Sequence, residues 1–200
     1  MADLFEEKAK DWDANERRTQ LSAAIGASIL AHVPLHDQML AMDFGAGTGL
    51  ISSQVAPKVK RIVAIDTSQA MLDKLAAKPE LRNKIEIICQ DIVESPIDAR
   101  FDLIMSAMTL HHVEDTSLLV ERFAEHLSEN GIVALADLDA EDGSFHPADT
   151  QGVFHSGFDR DELGALLEQK GFTEIEFFTA HNMSRNEKDY PVFLVTARKR

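Results

Sequence analysis

Residues 41–56 read AMDFGAGTGLISSQVA. A short apolar run meets Asp43, and glycine then takes every second position, at Gly45, Gly47 and Gly49. Glycine admits positive φ and carries no Cβ, so this spacing suits a backbone that turns sharply while a ligand lies against it. LISSQVA, followed by Pro57, reads as a helix that the proline ends, and the N–H groups at its start favour a carboxylate or phosphate. Two cofactor classes use such a turn. The dinucleotide fingerprint G-x-G-x-x-G uses its third glycine to pack helix on strand; here the spacing is tighter and an acid stands before it. On this stretch alone, a tight turn holding no ligand is a further possibility.

Outward from the loop, strands and helices alternate. Apolar runs at 38–44, 61–66, 85–90, 101–107 and 131–137 are near-continuous, as in a parallel sheet covered on both faces. Two further strands are expected at 173–180 and 192–198. They are joined by the polar HNMSRNEKDYP without a helix, which implies an antiparallel hairpin at one edge. Helices are expected at 17–33, from Leu21, Ile25 and Ile29, and at 115–129, from Leu119, Phe123 and Leu127, with Asn130-Gly131 as the stop. A third follows Asp159 as N-cap, buries Leu163, Leu166 and Leu167, and ends at Gly171. The expected fold is one doubly wound α/β domain over 1–200.

Composition narrows the function. The chain has 200 residues, 44% apolar and 27% charged, with a net charge of −14. Its only basic cluster is the terminal RKR, which argues against nucleic acid and anionic membranes as main partners. No segment approaches the ~18 apolar residues of a membrane span. The acidic start MADLFEEKAKDWD has neither the apolar core of a secretory signal nor a transit-peptide pattern, so cytoplasmic residence is the expectation. The single cysteine, Cys89, reads as a small apolar strand residue and makes no disulfide or thiol-based site.

The later strand ends sharpen the choice of ligand. Asp66 closes VAID, where a carboxylate can accept both hydroxyls of a ribose. Asp91 follows the third strand, where an acid could take hydrogen bonds from an exocyclic amine. The fourth strand runs FDLIMSA into MTLHHVED. Asp43, Asp66, Asp91 and Ser106 thereby reach the same edge of one sheet. In order and spacing, AMDFGAGTGL, VAIDTSQAML, CQDI and FDLIMSAMTLHHVED resemble the motifs of class I S-adenosylmethionine (SAM)-dependent methyltransferases. The likeness is to the small-molecule branch that includes quinone-biosynthesis enzymes, and it extends over residues 1 to about 180.

The resemblance implies a seven-stranded sheet of order 3-2-1-4-5-7-6, with strand 7 antiparallel and residues 1–36 as a helical cap. It implies that the loop of Gly45, Ala46, Gly47 and Gly49 passes under the methionine part of SAM, with Asp43 ordering the amino group or the loop. Asp66 would hold the ribose, Thr67 and Met71 the adenine, Asp91 its amine and Ile92 its ring. Ser106 and Ala107 would border the methionyl group. S-adenosylhomocysteine (SAH) would be the product.

The sulfonium methyl is already activated, so transfer needs alignment above all, and a base only where the acceptor must lose a proton. Histidine has a suitable pKa for such a base. His111, His112 and His155 are the candidates, with Trp12 and His146 as acceptor contacts. Two adjacent histidines without a third ligand or a cysteine do not read as a metal site. After the fourth strand there is no Asn/Asp-Pro-Pro-Tyr/Phe and no Pro-Cys, which disfavours amine-methylating DNA enzymes and cytosine C5 chemistry. A small-molecule acceptor is the leading expectation. A protein side chain, or a non-catalytic SAM sensor or accessory subunit, stays open. A nicotinamide dehydrogenase is disfavoured by the glycine spacing and Asp91. The acceptor, its reacting atom and the oligomeric state are not specified.

Overall fold

The structure, a computed structural model, describes residues 5–147, 150–185 and 188–200. Seven strands form one sheet: β1 (Leu40–Phe44), β2 (Arg61–Asp66), β3 (Ile85–Cys89), β4 (Phe101–Ala107), β5 (Leu127–Leu138), β6 (Phe172–Arg185) and β7 (Lys188–Lys199). Their order is β3-β2-β1-β4-β5-β7-β6. The first five are parallel, and β7 runs antiparallel between β5 and β6. The expected topology is therefore present.

Among the described residues six α-helices accompany it: α1 (Glu6–Ala9), α2 (Glu16–His32), α3 (Leu50–Val55), α4 (Gln69–Ala76), α5 (Thr116–His126) and α6 (Arg160–Gln169). Alternation along β1 sends Ala41 to one face and Met42 to the other, and two cores result. Ile25 and Ile29 of α2, Val55 of α3 and Leu75 of α4 pack with Ala41, Ile62 and Met105. Phe123 of α5 and Leu167 of α6 pack with Met42, Ile104 and Phe193 on the opposite face. Each buried Leu or Phe contributes on the order of 1.5–3 kcal/mol by leaving water.

Several boundaries depart from the sequence expectation. Pro57 does not terminate α3 abruptly, because Ala56–Lys58 continue as a 3-10 turn, where proline's fixed φ is tolerated. Helix α5 stops at His126, and Leu127 opens β5. Asn130 then turns through φ 61°, and Gly131 lies inside the strand rather than at a helix end. The polar linker 181–191 is itself mostly paired strand, with Asn182 opposite Pro191 and Arg185 opposite Lys188. Strand β3 lies at the sheet edge, so it is not covered on both faces: Glu86 and Cys89 are exposed. Cys89 is the last residue of this strand, as expected, and is exposed; its thiol lies 3.7 Å from the Thr67 carbonyl oxygen.

Candidate functional site

At the carboxyl edge of β1 the chain turns through three left-handed glycines, Gly45 at φ 68°, Gly47 at 53° and Gly49 at 80°. Each has a different reason for lacking a Cβ. On Gly45 it would stand 2.2 Å from Thr109 Oγ1, and on Gly49 2.8 Å from the Leu75 side chain. At Gly47 it would meet nothing within 4 Å. Two glycines thus let protein pack closely, while the third faces open space.

The loop is tied to β2. Gly45 and Ala46 donate their N–H groups to the Ile65 carbonyl at 2.8 and 3.1 Å. Gly47 N–H donates to Asp66 Oδ2 at 2.7 Å, and Ser68 N–H to Asp66 Oδ1 at 2.8 Å. Beneath the loop, Asp43 is buried and accepts the Ser52 hydroxyl at 2.6 Å. Burial, with the Asp66 charge adding to it, raises the Asp43 pKa to about 7.

The next strand ends complete the edge. Ser106 is fully buried and donates to the Phe44 carbonyl at 2.9 Å, joining β4 to β1. Ala107 is half-buried beside it. Thr67 is exposed, whereas Met71 is buried, its N–H on Ser68 Oγ at the start of α4. Asp91 is exposed two residues beyond β3 and accepts the Val93 N–H at 2.8 Å. Ile92 is wholly buried and packs with the Met42–Phe44 core.

Beyond Met108, at φ 57°, residues 110–112 form a 3-10 turn that sets the His111 and His112 rings beside that of His146, from the segment after β5. His111 lies 4.1 Å from His112 and 5.1 Å from His146, centroid to centroid. His111 Nδ1 lies 2.7 Å from Asp137 Oδ1 at the end of β5, and both residues are buried. Asp137 also accepts the backbone N–H groups of His111 at 3.2 Å and Leu138 at 2.8 Å. Three N–H donors converge on this carboxylate, so His111 carries its proton on Nδ1. His112 Nδ1 meets the Gly152 carbonyl, which only accepts, so its proton is on Nδ1 as well. Desolvation, reinforced by the neighbouring His111, lowers the His112 pKa to about 4. Burial and His111 also lower that of His146, whose Nε2 is buried without a partner.

His155 is not in this cluster. Its Nε2 lies 2.9 Å from the Val113 carbonyl and 3.2 Å from Thr116 Oγ1, and its ring packs on Phe158. Trp12 sits between Phe5 and Arg18, whose guanidinium lies 4.0 Å over the indole. The N-terminal segment spans the two halves of the edge. Phe5 meets His112 edge-on at 5.5 Å, and Asp13 accepts the Thr48 hydroxyl and pairs with Lys78 at 2.9 Å. Among the described residues no group of three or more His, Cys, Asp or Glu side chains is arranged to hold a metal ion. No described helix is long and apolar enough to cross a membrane. Asp137 and Asp13 were not singled out from the sequence. The usable signal for Asp137 was an acid at the end of an apolar strand, as with Asp43 and Asp66, although three further acids follow it within five residues.

Residues 42–135 match the methyltransferase domain family. An uncharacterised methyltransferase of Schizosaccharomyces pombe is 33% identical over 135 residues, covering 60% of this chain and 48% of that protein. A malonyl-[acyl-carrier protein] O-methyltransferase of Priestia megaterium is 24% identical, covering 82% and 65%. The chain spans about half the length, or less, of the first two curated relatives it matches, 48% and 24%. In fold it is similar to magnesium protoporphyrin IX methyltransferase of Synechocystis PCC 6803 with bound SAH, at TM-score 0.73 and 18% identity, covering 99% and 97%. The SAH complex of DhpI gives 0.79 at 17% identity, covering 98% and 95%.

Proposed function

We propose that this chain, whose residues 42–135 match the methyltransferase domain family, is a class I S-adenosylmethionine-dependent methyltransferase that transfers the methyl group of SAM to a small-molecule acceptor. The observation that carries this reading is the loop itself. Three left-handed glycines stand at the carboxyl edge of β1, the middle one facing open space, with the Asp66 carboxylate on its N–H. That cradle fits SAM: a side chain at Gly47 would fill the space, and Asp66 can exchange one backbone N–H for ribose hydroxyls.

Gly45, Ala46, Gly47 and Gly49 would hold the methionine part, and Asp66 the ribose. Thr67, Met71 and Asp91 would meet the adenine; Ser106 and Ala107 would border the methionyl group, and Ile92 would back the adenine side from the core. Asp43 would order the loop through Ser52. SAM supplies a sulfonium methyl that needs no further activation. The chain's own residues align the acceptor, exclude water and receive its proton where it has one. His111 is suited to that last role, because Asp137 holds its Nδ1–H and leaves the Nε2 lone pair outward of the pair. His112, His146 and Trp12 would contact the acceptor. His155, committed to Val113 and Thr116, would support the wall rather than receive a proton.

The test is calorimetry with SAM, SAH and NAD in parallel, followed by SAH formation from a metabolite extract. Binding of SAM and SAH with SAH formation is the expected result. NAD binding alone would overturn the reading. SAM binding with consistent absence of turnover would favour a sensor or accessory subunit.

A further inference from the structure

We propose that His126 and Arg122, near the end of α5, are positioning residues for base recognition: they hold the segment that carries Asp91, and so set the preference for adenine over a base without its amine. The inference deepens the SAM-dependent reading above and rests on it. Residues 90–100, between β3 and β4, form neither helix nor strand, and Asp91 stands exposed among them. A side chain on such a segment discriminates well only where its backbone is held before the ligand arrives. Ordering that backbone at the moment of binding costs affinity.

The segment leaves the sheet at Gln90, whose N–H donates to the Asp66 carbonyl at 3.0 Å, beside the acid proposed for the ribose. Asp91 then shapes a turn around itself. Its carbonyl accepts the Ser95 N–H at 2.9 Å, and its Oδ1 accepts the Val93 N–H at 2.8 Å. Helix α5 ties this turn down twice. Arg122 Nε donates to the Val93 carbonyl at 3.3 Å, and the Ile97 N–H donates to His126 Nε2 at 3.2 Å.

The hydrogen-bond accounting around His126 is closed. Its Nδ1 lies 2.6 Å from the Arg122 carbonyl oxygen of its own helix. That carbonyl only accepts and the Ile97 amide only donates, so the ring carries its proton on Nδ1 and turns the Nε2 lone pair to the segment. His126 is 1% exposed, a place where packing alone is met by an apolar side chain. The imidazole adds what an apolar side chain lacks, an acceptor for a backbone N–H that has no strand or helix partner. Both links fall on neighbours of Asp91. Its carboxylate commits only Oδ1 to the turn among the described residues, which leaves Oδ2 to accept from an exocyclic amine.

The experiment measures, by calorimetry on the full chain, the affinities for SAH and for S-inosylhomocysteine, in which a carbonyl replaces the amine. The wild type is expected to prefer SAH by at least about tenfold, since the analogue turns a lone pair toward Asp91 in place of a donor. In His126→Phe that ratio should fall to within about threefold of unity. His126→Gln, whose Oε1 can accept the Ile97 N–H, should restore it. Asp91→Ala should lose the ratio as well, and the double variant should lose no more than Asp91→Ala alone, because His126 acts through Asp91. Where His126→Phe does not fold, Arg122→Met releases Val93 instead, and its ratio should fall by about threefold. An unchanged ratio in either folded variant, with both ligands weakened equally or not at all, would overturn the proposal. So would failure of His126→Gln to restore the ratio, additive losses in the double variant, or a wild type without preference. Absence of SAH binding to the wild type would overturn the SAM-dependent reading and this proposal with it.

Discussion

Asp66 Oδ2 accepts the Gly47 N–H at 2.7 Å, so the acid at the end of β2 holds the middle of the glycine loop directly. One carboxylate therefore shapes the loop and, in the proposed function, would also hold the ribose. Asp66→Ala should weaken SAH binding by about ten- to a hundredfold, the range for losing hydrogen bonds to a charged group. Calorimetry measures it. Unchanged affinity would remove Asp66 from the cofactor site.

Gly45 and Gly47 share a backbone conformation and differ in what surrounds them. Gly45→Ala drives a methyl to 2.2 Å from Thr109 Oγ1 and adds left-handed strain. A cost of about 3 kcal/mol, or roughly 6–12 °C in Tm, is expected. Gly47→Ala carries the strain alone, about 1–2 kcal/mol. Gly47→Val, which projects further into the open space, should abolish SAH binding in a folded protein. Equal Tm losses at the two positions, or SAH binding retained in Gly47→Val, would contradict this division of roles.

The strands and the glycine loop were legible in the sequence because short apolar runs ending in Asp43, Asp66 and Ser106 leave little freedom of register, whereas the sheet order came from the resemblance to class I methyltransferases. The residues 61–66 and 101–107 were found to the residue for that reason. Leu127 misled, since it continues the spacing of Leu119 and Phe123 and is buried, though it belongs to β5. A four-residue period cannot tell the last helical turn from the first residue of the strand beneath it. The stretch 181–191 looked like a loop because a hairpin whose strands satisfy each other's backbone needs no apolar face. Asp137 was hidden by company: within Asp137–Asp142 it reads as one solvated acid among four. Only the tertiary fold separates the buried one from the rest.

Asp137→Asn tests what that buried acid does. An amide accepts only through its oxygen, so its NH2 would face one of the three donors now on the carboxylate. Unfolding by denaturant should show a loss of about 3 kcal/mol, as for breaking a buried pair. The His111 imidazole ¹⁵N spectrum should show its proton moving from Nδ1 toward Nε2. An unchanged tautomer with stability within about 0.5 kcal/mol of wild type would mean that Asp137 does not orient His111.

Two buried groups give opposite pH dependence of stability, and variants separate them. His112 has its pKa lowered from 6.5 to about 4 in the folded protein. The unfolded chain takes up its proton first, so folding loses stability as pH falls from 6.5 to 4, by about 3 kcal/mol. Asp43 has its pKa raised from 3.8 to about 7. There the folded chain holds the extra proton, so its contribution is present below pH 3.8 and is lost as pH rises through 7, by about 4 kcal/mol. Between pH 4 and 6.5 the two slopes nearly cancel. Asp43→Asn, which keeps an acceptor for Ser52, should expose the His112 slope, with stability falling toward acid. His112→Phe should expose the Asp43 slope, with stability rising toward acid. Denaturant unfolding of the three proteins at half-unit steps from pH 4 to 8 reads both, and parallel curves for all three would refute the assignment.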